Sequence, residues 1–211
     1  MLTGPEDVLS FWFGEPARDA ATLGAKFKRW FTGGPDLDRE IGGRFGAAVA
    51  AALEGKLDAW AETIRGRLAL IILLDQFTRN IFRDDPRGFS GDGRAQRLAV
   101  DALDAGLERQ LGFDERIFLM TPLGHAEDEQ LQERSVAEAE RLVTEATEWQ
   151  RSVFARGIEQ TRKYREVVAR FGRFPHRNTI LGRASTPEEE AFLVGWKERQ
   201  RPSTLKAGVT S

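Results

Sequence analysis

Cysteine is absent from this 211-residue chain. That absence alone excludes disulfides, thiolate nucleophiles and cysteine-based zinc sites by inventory. The chain also lacks an excess of either charge: 31 basic against 33 acidic residues give a formal net charge of −2 at pH 7. A global electrostatic case for nucleic acid or anionic membranes therefore fails, and any basic site must be local. Long apolar runs are missing as well. The longest, Leu68 to Leu74, is far too short to span a bilayer, and Met1 to Asp7 lacks the basic start and apolar stretch of a signal peptide. A soluble chain in the cytoplasm, with no membrane partner, is the expectation. Period-two alternation is sustained nowhere, so strands are hard to find. Familiar catalytic and cofactor signatures are missing too. There is no Walker phosphate loop, no Gly-x-Gly-x-x-Gly after a strand and no Gly-x-Ser-x-Gly, since Gly88-Phe89-Ser90-Gly91-Asp92 lacks the last glycine. No cofactor is implied.

What is present is helical. Hydrophobic residues make up 41% and charged residues 30% of the chain, with 14 Phe and 5 Trp, the balance of an ordinary globular protein. Apolar residues recur at helical spacing, as in Leu37, Ile41, Phe45, Val49 and Leu53, or Tyr164, Val167, Val168 and Phe171. The spacing predicts helices near 5–13, 19–31, 36–54, 64–82, 91–109, 113–120, 122–146, 148–171 and 187–200, with a short helical turn after Pro175. Thr186-Pro187-Glu188-Glu189 combines an N-cap, a first-turn Pro and a capping-box Glu, and Thr121-Pro122 repeats the first two elements. The fold class expected is all-α, in one helical domain over 1–200 followed by a flexible tail over 201–211.

Three polar stretches stand out. In Leu74-Asp75-Gln76-Phe77-Thr78-Arg79-Asn80-Ile81-Phe82-Arg83, helical projection puts Asp75, Gln76, Arg79, Asn80 and Arg83 in one arc, opposite Leu74, Phe77 and Ile81. In Thr121-Pro122-Leu123-Gly124-His125-Ala126-Glu127, His125 is expected in the first turn of a helix. The dipole there favours neutral imidazole, able to act as donor, base or metal ligand. A zinc site is nonetheless weakly indicated, because His125-Ala-Glu127 has no companion Cys pair and His-Glu-x-x-His does not occur. In Gly172-Arg173-Phe174-Pro175-His176-Arg177-Asn178 through Arg183, three Arg and one His lie within eleven residues, a composition suited to carboxylates or phosphates. Against each stands a plainer reading: Asp75 pairs with Arg79 one turn on, and the arginines answer buried acids such as Asp75 and Glu127.

Together these stretches resemble the bacterial family catalogued as domain of unknown function 924. The resemblance also rests on Val8-Leu9-Ser10-Phe11-Trp12-Phe13-Gly14 and runs in order over nearly the whole chain. It implies a tetratricopeptide-like α-α superhelix of stacked helical hairpins with no established enzyme activity. Two positions depart from the family pattern: Ala126 stands where Ser is usual, which excludes a serine nucleophile there, and Tyr164 stands where His is frequent.

The leading expectation is a cleft binding a small anionic molecule through Asp75, Gln76, Arg79, Asn80, Arg83, His125, Glu127, Arg173, His176, Arg177 and Asn178. A protein-interaction scaffold is the alternative, with a protein as partner. RNA binding through 151–183, which holds nine basic residues against two Glu, is disfavoured because aromatic residues are sparse there. The preceding 127–148 holds eight acids against two Arg, so pairing across an antiparallel hairpin accounts for both runs.

Overall fold

The structure, a computed structural model, describes residues 3–200, and their side chains as far as residue 196. The tail expected at 201–211 lies outside the described residues. Among them the structure is all-α, with no strand. In chain order, α1 is Pro5–Phe13, α2 Ala20–Thr32 and α3 Gly34–Leu53. α4 is an unbroken rod: an α-helical start Ile64–Ile71, a π-helical turn Ile72–Phe77 and an α-helical end Thr78–Ile81. α5 is Asp92–Asp104, α6 Phe113–Gly124, α7 Glu129–Glu145, α8 Glu148–Phe171 and α9 Pro187–Gln200.

α4 is the axis of the core. Leu68 through Leu74 have no exposed surface, and α1, α3, α5 and α6 pack around them. A helix apolar on all its faces over these seven residues is one enclosed on every side. Trp12, Trp30, Phe77 and Phe118 interlock beside it, with ring centroids 4.7 to 6.3 Å apart. The Trp30 indole donates to the Trp12 carbonyl at 2.9 Å. α6, α7 and α8 follow one another through short connections and pack in sequence, while α2 lies across α8.

Two expected boundaries move. The helix expected over 91–109 stops at Asp104, because Gly106 takes a left-handed conformation at φ 65° and a separate 3-10 turn, Leu107–Gln110, follows. The second matters more for function. Thr121-Pro122 is not a helix start, because α6 runs through Pro122 to Gly124. The Thr121 hydroxyl bonds back to the Ile117 carbonyl at 2.8 Å, as a mid-helix threonine does. The next helix begins after Asp128, whose carboxylate caps the Leu131 amide at 2.9 Å. His125 therefore ends α6 instead of opening α7, and the dipole argument for a neutral ring loses its premise.

The other signals hold their places. Gly172 ends α8 at φ 67°, and the turn after Pro175 is a 3-10 helix, Pro175–Arg177. At the start of α9, Thr186 Oγ1 accepts from the Glu189 amide at 3.2 Å and Glu189 accepts from the Thr186 amide at 2.7 Å, the reciprocal capping box. The charged runs pair across α7 and α8, Arg162 with Glu140 at 2.6 Å and Arg165 with Glu133 at 3.5 Å.

Candidate functional site

The π-turn of α4 sets the geometry of the first polar stretch. Its wider turn delays the register relative to an ideal helix, so the single arc expected from 75 to 83 splits in two. Asn80 and Arg83 turn toward α3, where both bond Asp38, at 2.7 Å and at 2.7 and 2.8 Å. Asp75 and Arg79 turn the other way, toward the end of α6.

Asp75 has no exposed surface. Its Oδ1 accepts from His125 Nδ1 at 2.7 Å and stands 3.2 Å from Arg79 Nη1, while Gln76 donates to Oδ2 at 2.5 Å. Burial alone would raise its pKa. The charges of Arg79 and His125, with the hydrogen bonds from His125 and Gln76, overcome it and hold the carboxyl well below the usual carboxylate range.

The start of α5 reaches the same point because Gly91 has no side chain: a Cβ there would stand 2.3 Å from the Leu74 carbonyl oxygen. That close approach brings Asp92 to Arg79, with contacts of 2.9 Å from each terminal nitrogen. Burial raises Asp92 above the ordinary value, Arg79 opposes it, and the charge of Asp75 adds to the rise.

The turn after α8 closes the network. Arg177 is buried, donates to the His125 carbonyl at 3.0 Å and lies 3.7 Å from Asp92. Its guanidinium sits over the Phe174 and Phe89 rings, 4.5 and 5.0 Å from their centroids. Glu127 fastens this turn to the α6–α7 junction, accepting from Arg183 at 2.5 and 2.9 Å and from the Phe174 amide at 2.9 Å. Arg173 and Asn178 point to α9 instead: Arg173 clamps Glu189 at 2.7 and 2.8 Å, and Asn178 reaches Ser185 at 3.1 Å and Glu189 at 3.3 Å. The bond from Arg173 draws Glu189 down to about 2. His176 stacks parallel on Trp196 at 5.3 Å, its buried Nδ1 without a partner among the described residues. Burial, reinforced by Arg177, lowers its pKa to about 4.

On the other side of His125 lies a cavity of about 750 Å³ between α2, α6, α7 and α8. Its walls are mainly apolar: Phe27 and Phe31 from α2, Ile117 and Met120 from α6, Ala139 from α7, Val153 and Phe154 from α8. Phe31, 60% exposed, is among them. The polar lining includes His125, Gln160, Tyr164 and Arg156. Asp75 is an acceptor only, so His125 carries its proton on Nδ1, and Nε2 takes no bond from the protein among the described residues. Gln160 Nε2 is buried and makes no full hydrogen bond among the described residues. Burial raises the Tyr164 pKa, and the charge of Arg177, the Gln160 amide and the charge of Arg79 work against that rise.

The family of bacterial proteins of unknown function designated DUF924 matches residues 8–195. This chain belongs to that family. A solved structure of a protein of unknown function from Agrobacterium tumefaciens is similar at 34% identity and a TM-score of 0.69, covering 83% of this chain and 98% of that one. No curated protein matches.

In this DUF924 member the four stretches that carry the resemblance meet around one point. Phe11 and Trp12 pack on Phe77 of the π-turn, with centroids 6.0 and 5.4 Å away. Asp75 lies within that turn, His125 bonds it, and Arg177 bonds the His125 carbonyl. Of the residues expected to bind a ligand, His125 alone lines the cavity. Asp75, Gln76, Arg79, Glu127 and Arg177 form the wall behind it, Arg173, His176 and Asn178 organise the C-terminal turn, and Asn80 and Arg83 serve α3. Sequence reading missed the cavity residues Phe27, Met120, Phe154 and Gln160, whose helical spacing looks like ordinary core; Tyr164 carried the one signal, as a departure from the family pattern.

Proposed function

We propose that the protein binds a small amphipathic carboxylate, its apolar body between Phe27, Ile117, Met120 and Phe154 and its head group at His125, Gln160 and Tyr164. The observation that carries this reading is a largely apolar cavity of about 750 Å³ lined by a histidine whose second nitrogen is fixed by a buried aspartate. The anionic character of the ligand follows from donors in the lining, the Gln160 amide, the Tyr164 hydroxyl and the Arg156 guanidinium. Arg79, Arg83, Arg173 and Arg183 do not hold it, since each has a carboxylate.

Melting curves with octanoate, butyrate and octylammonium test the reading. A ligand that binds only the folded protein raises apparent stability by RT ln(1 + [L]/Kd). Octanoate is expected to raise the melting temperature, butyrate less for want of apolar contact, and octylammonium not at all. Equal response to octanoate and octylammonium overturns the assignment of the head group, and no response to any of the three overturns the cavity as a binding site.

A further inference from the structure

We infer that His125 is a general base and that the protein hydrolyses carboxylic esters whose acyl part fits the cavity, with Asp75 as its positioning residue. The inference rests on the binding reading above and names the reaction whose product is that ligand: water adds to an ester and leaves a carboxylate.

Three features converge on it. The first is the dyad. A carboxylate with no exposed surface fixes Nδ1–H of His125 at 2.7 Å, which leaves the lone pair on Nε2, the nitrogen to which no described residue bonds. An imidazole held this way has one tautomer and one orientation, the state a general base needs. The second is how strongly Asp75 is secured. Arg79 and Gln76 bond it from its own helix, Arg79 is secured in turn by Asp92, and Arg177 bonds the His125 backbone from the far side. A histidine that merely filled space at the end of α6 has no need of this support. The third is a pair of donors that line the same cavity as His125, the Gln160 amide and the Tyr164 hydroxyl.

The step balances with water as the only co-reactant. His125 Nε2 takes a proton from water as the oxygen attacks the ester carbonyl carbon, forming a tetrahedral oxyanion. The Gln160 amide and Tyr164 hydroxyl donate to that oxygen. Collapse breaks the bond to the alcohol oxygen, and imidazolium returns the proton to the leaving alkoxide. An acid and an alcohol are released, and Asp75 stays ionised throughout, stabilising the transient imidazolium. The charged and titratable groups around the imidazole are Asp75 and Arg79 of α4, Asp92 of α5, Tyr164 of α8, and His176 and Arg177 of the C-terminal turn.

The full chain and p-nitrophenyl acetate, butyrate and octanoate provide the test. The octanoate ester is expected to have the highest kcat/KM. His125→Gln is expected to lower kcat by about 100-fold or more. Asp75→Asn is expected to lower kcat with little change in KM, a split that loosened packing alone does not produce. If Asp75→Asn does not fold, His125→Gln decides alone. Octanoate binding without hydrolysis above the His125→Gln level overturns the catalytic inference and leaves the binding reading standing. Failure of both binding and hydrolysis overturns both, and acetate and octanoate esters cleaved at equal rates overturn the acyl cavity as the specificity element.

Discussion

Arg79 lies between Asp75 and Asp92, Arg183 rests on Glu127 and Arg173 on Glu189; across His125, the cavity leaves Phe27, Met120 and Phe154 facing open space. One region has its guanidiniums answered by carboxylates from within the chain, and the other presents apolar walls and polar side chains to open space. A charged cluster dense in arginine therefore says little about ligands until its acids are counted, and here the acids arrive from distant helices: Asp38 from α3, Asp92 from α5, Glu189 from α9. The lining of the cavity is the better guide to function, and His125 is the residue that belongs to both regions.

The largest expected effect comes from removing the centre of the saturated region. Asp75→Ala deletes a fully buried carboxylate and leaves Arg79 beside Arg177 with only Asp92 between them. A loss of about 3–5 kcal/mol in denaturant unfolding is expected, the usual consequence of leaving a buried charge without its partner. A loss of under about 0.5 kcal/mol, typical of an exposed pair, would remove the distinction between network and surface.

His176 sharpens the comparison from the C-terminal turn. Its pKa in the folded protein is about 4, against about 6.5 when unfolded. Between those values the unfolded chain binds the proton and the folded chain does not, so stability falls as pH drops from about 6.5 and the loss is complete below about 4. Its contribution is at most about 3 kcal/mol. His176→Phe keeps a ring against Trp196 and removes the titration. The difference in unfolding free energy between variant and wild type, followed from neutral to acid pH, isolates the histidine from carboxylates common to both. Parallel curves would mean that His176 takes up its proton as readily in the fold as in the unfolded chain.

How far these contrasts were legible in the sequence depends on what each feature leaves behind. Helices announced themselves by apolar period, and Thr186 to Glu189 by a cap with local chemistry complete in four residues. The Asp75–Arg79 pair was readable at i,i+4, and the closeness of the 173–183 segment to it was a matter of inference from composition. The π-turn was not readable, because a wider hydrogen-bond ring has no residue signature, and it sent Asn80 and Arg83 away from Asp75. Pro122 misled, since a proline near the end of a helix and one at the start of the next look alike without knowing where Thr121 sends its hydroxyl. The cavity was invisible for a different reason. It lies between α2, α6, α7 and α8, and Phe154 or Met120 has the same spacing whether its neighbour is a side chain or empty space.

A smaller effect is expected where the same motif reaches the surface. Arg83 is half-exposed and pairs with Asp38, which keeps Asn80 as a second partner. Arg83→Ala is expected to cost about 0.2–1 kcal/mol, the range of exposed ion pairs. Set against Asp75→Ala in the same denaturation series, it measures how completely the π-turn divides one sequence motif into a buried half and a surface half. Equal losses would mean the division has no energetic meaning.

The smallest change in stability carries the sharpest test of the cavity. Gly157 lies in the middle of α8, and a Cβ there would stand 2.9 and 3.0 Å from two ring carbons of Phe154, one turn earlier on the same helix. Gly157→Ala gains about 1 kcal/mol of helix propensity. It also forces the Phe154 ring to move, and overpacking in a filled core costs about 1–3 kcal/mol. This ring borders open space, so it has room to turn away, and the cost falls at the low end of that range. The two contributions nearly cancel, and unfolding free energy is expected to change by less than about 1 kcal/mol. The ring's new position is inside the cavity, however, so the octanoate-induced rise in melting temperature is expected to shrink. Gly43→Ala is the matched control: Gly43 is an exposed glycine within α3 with nothing within 4 Å of the added carbon. It receives the same propensity gain and is expected to leave the octanoate response unchanged. A Gly157→Ala variant that is as stable as wild type and responds fully to octanoate would show that the Phe154 wall is not where the apolar body rests.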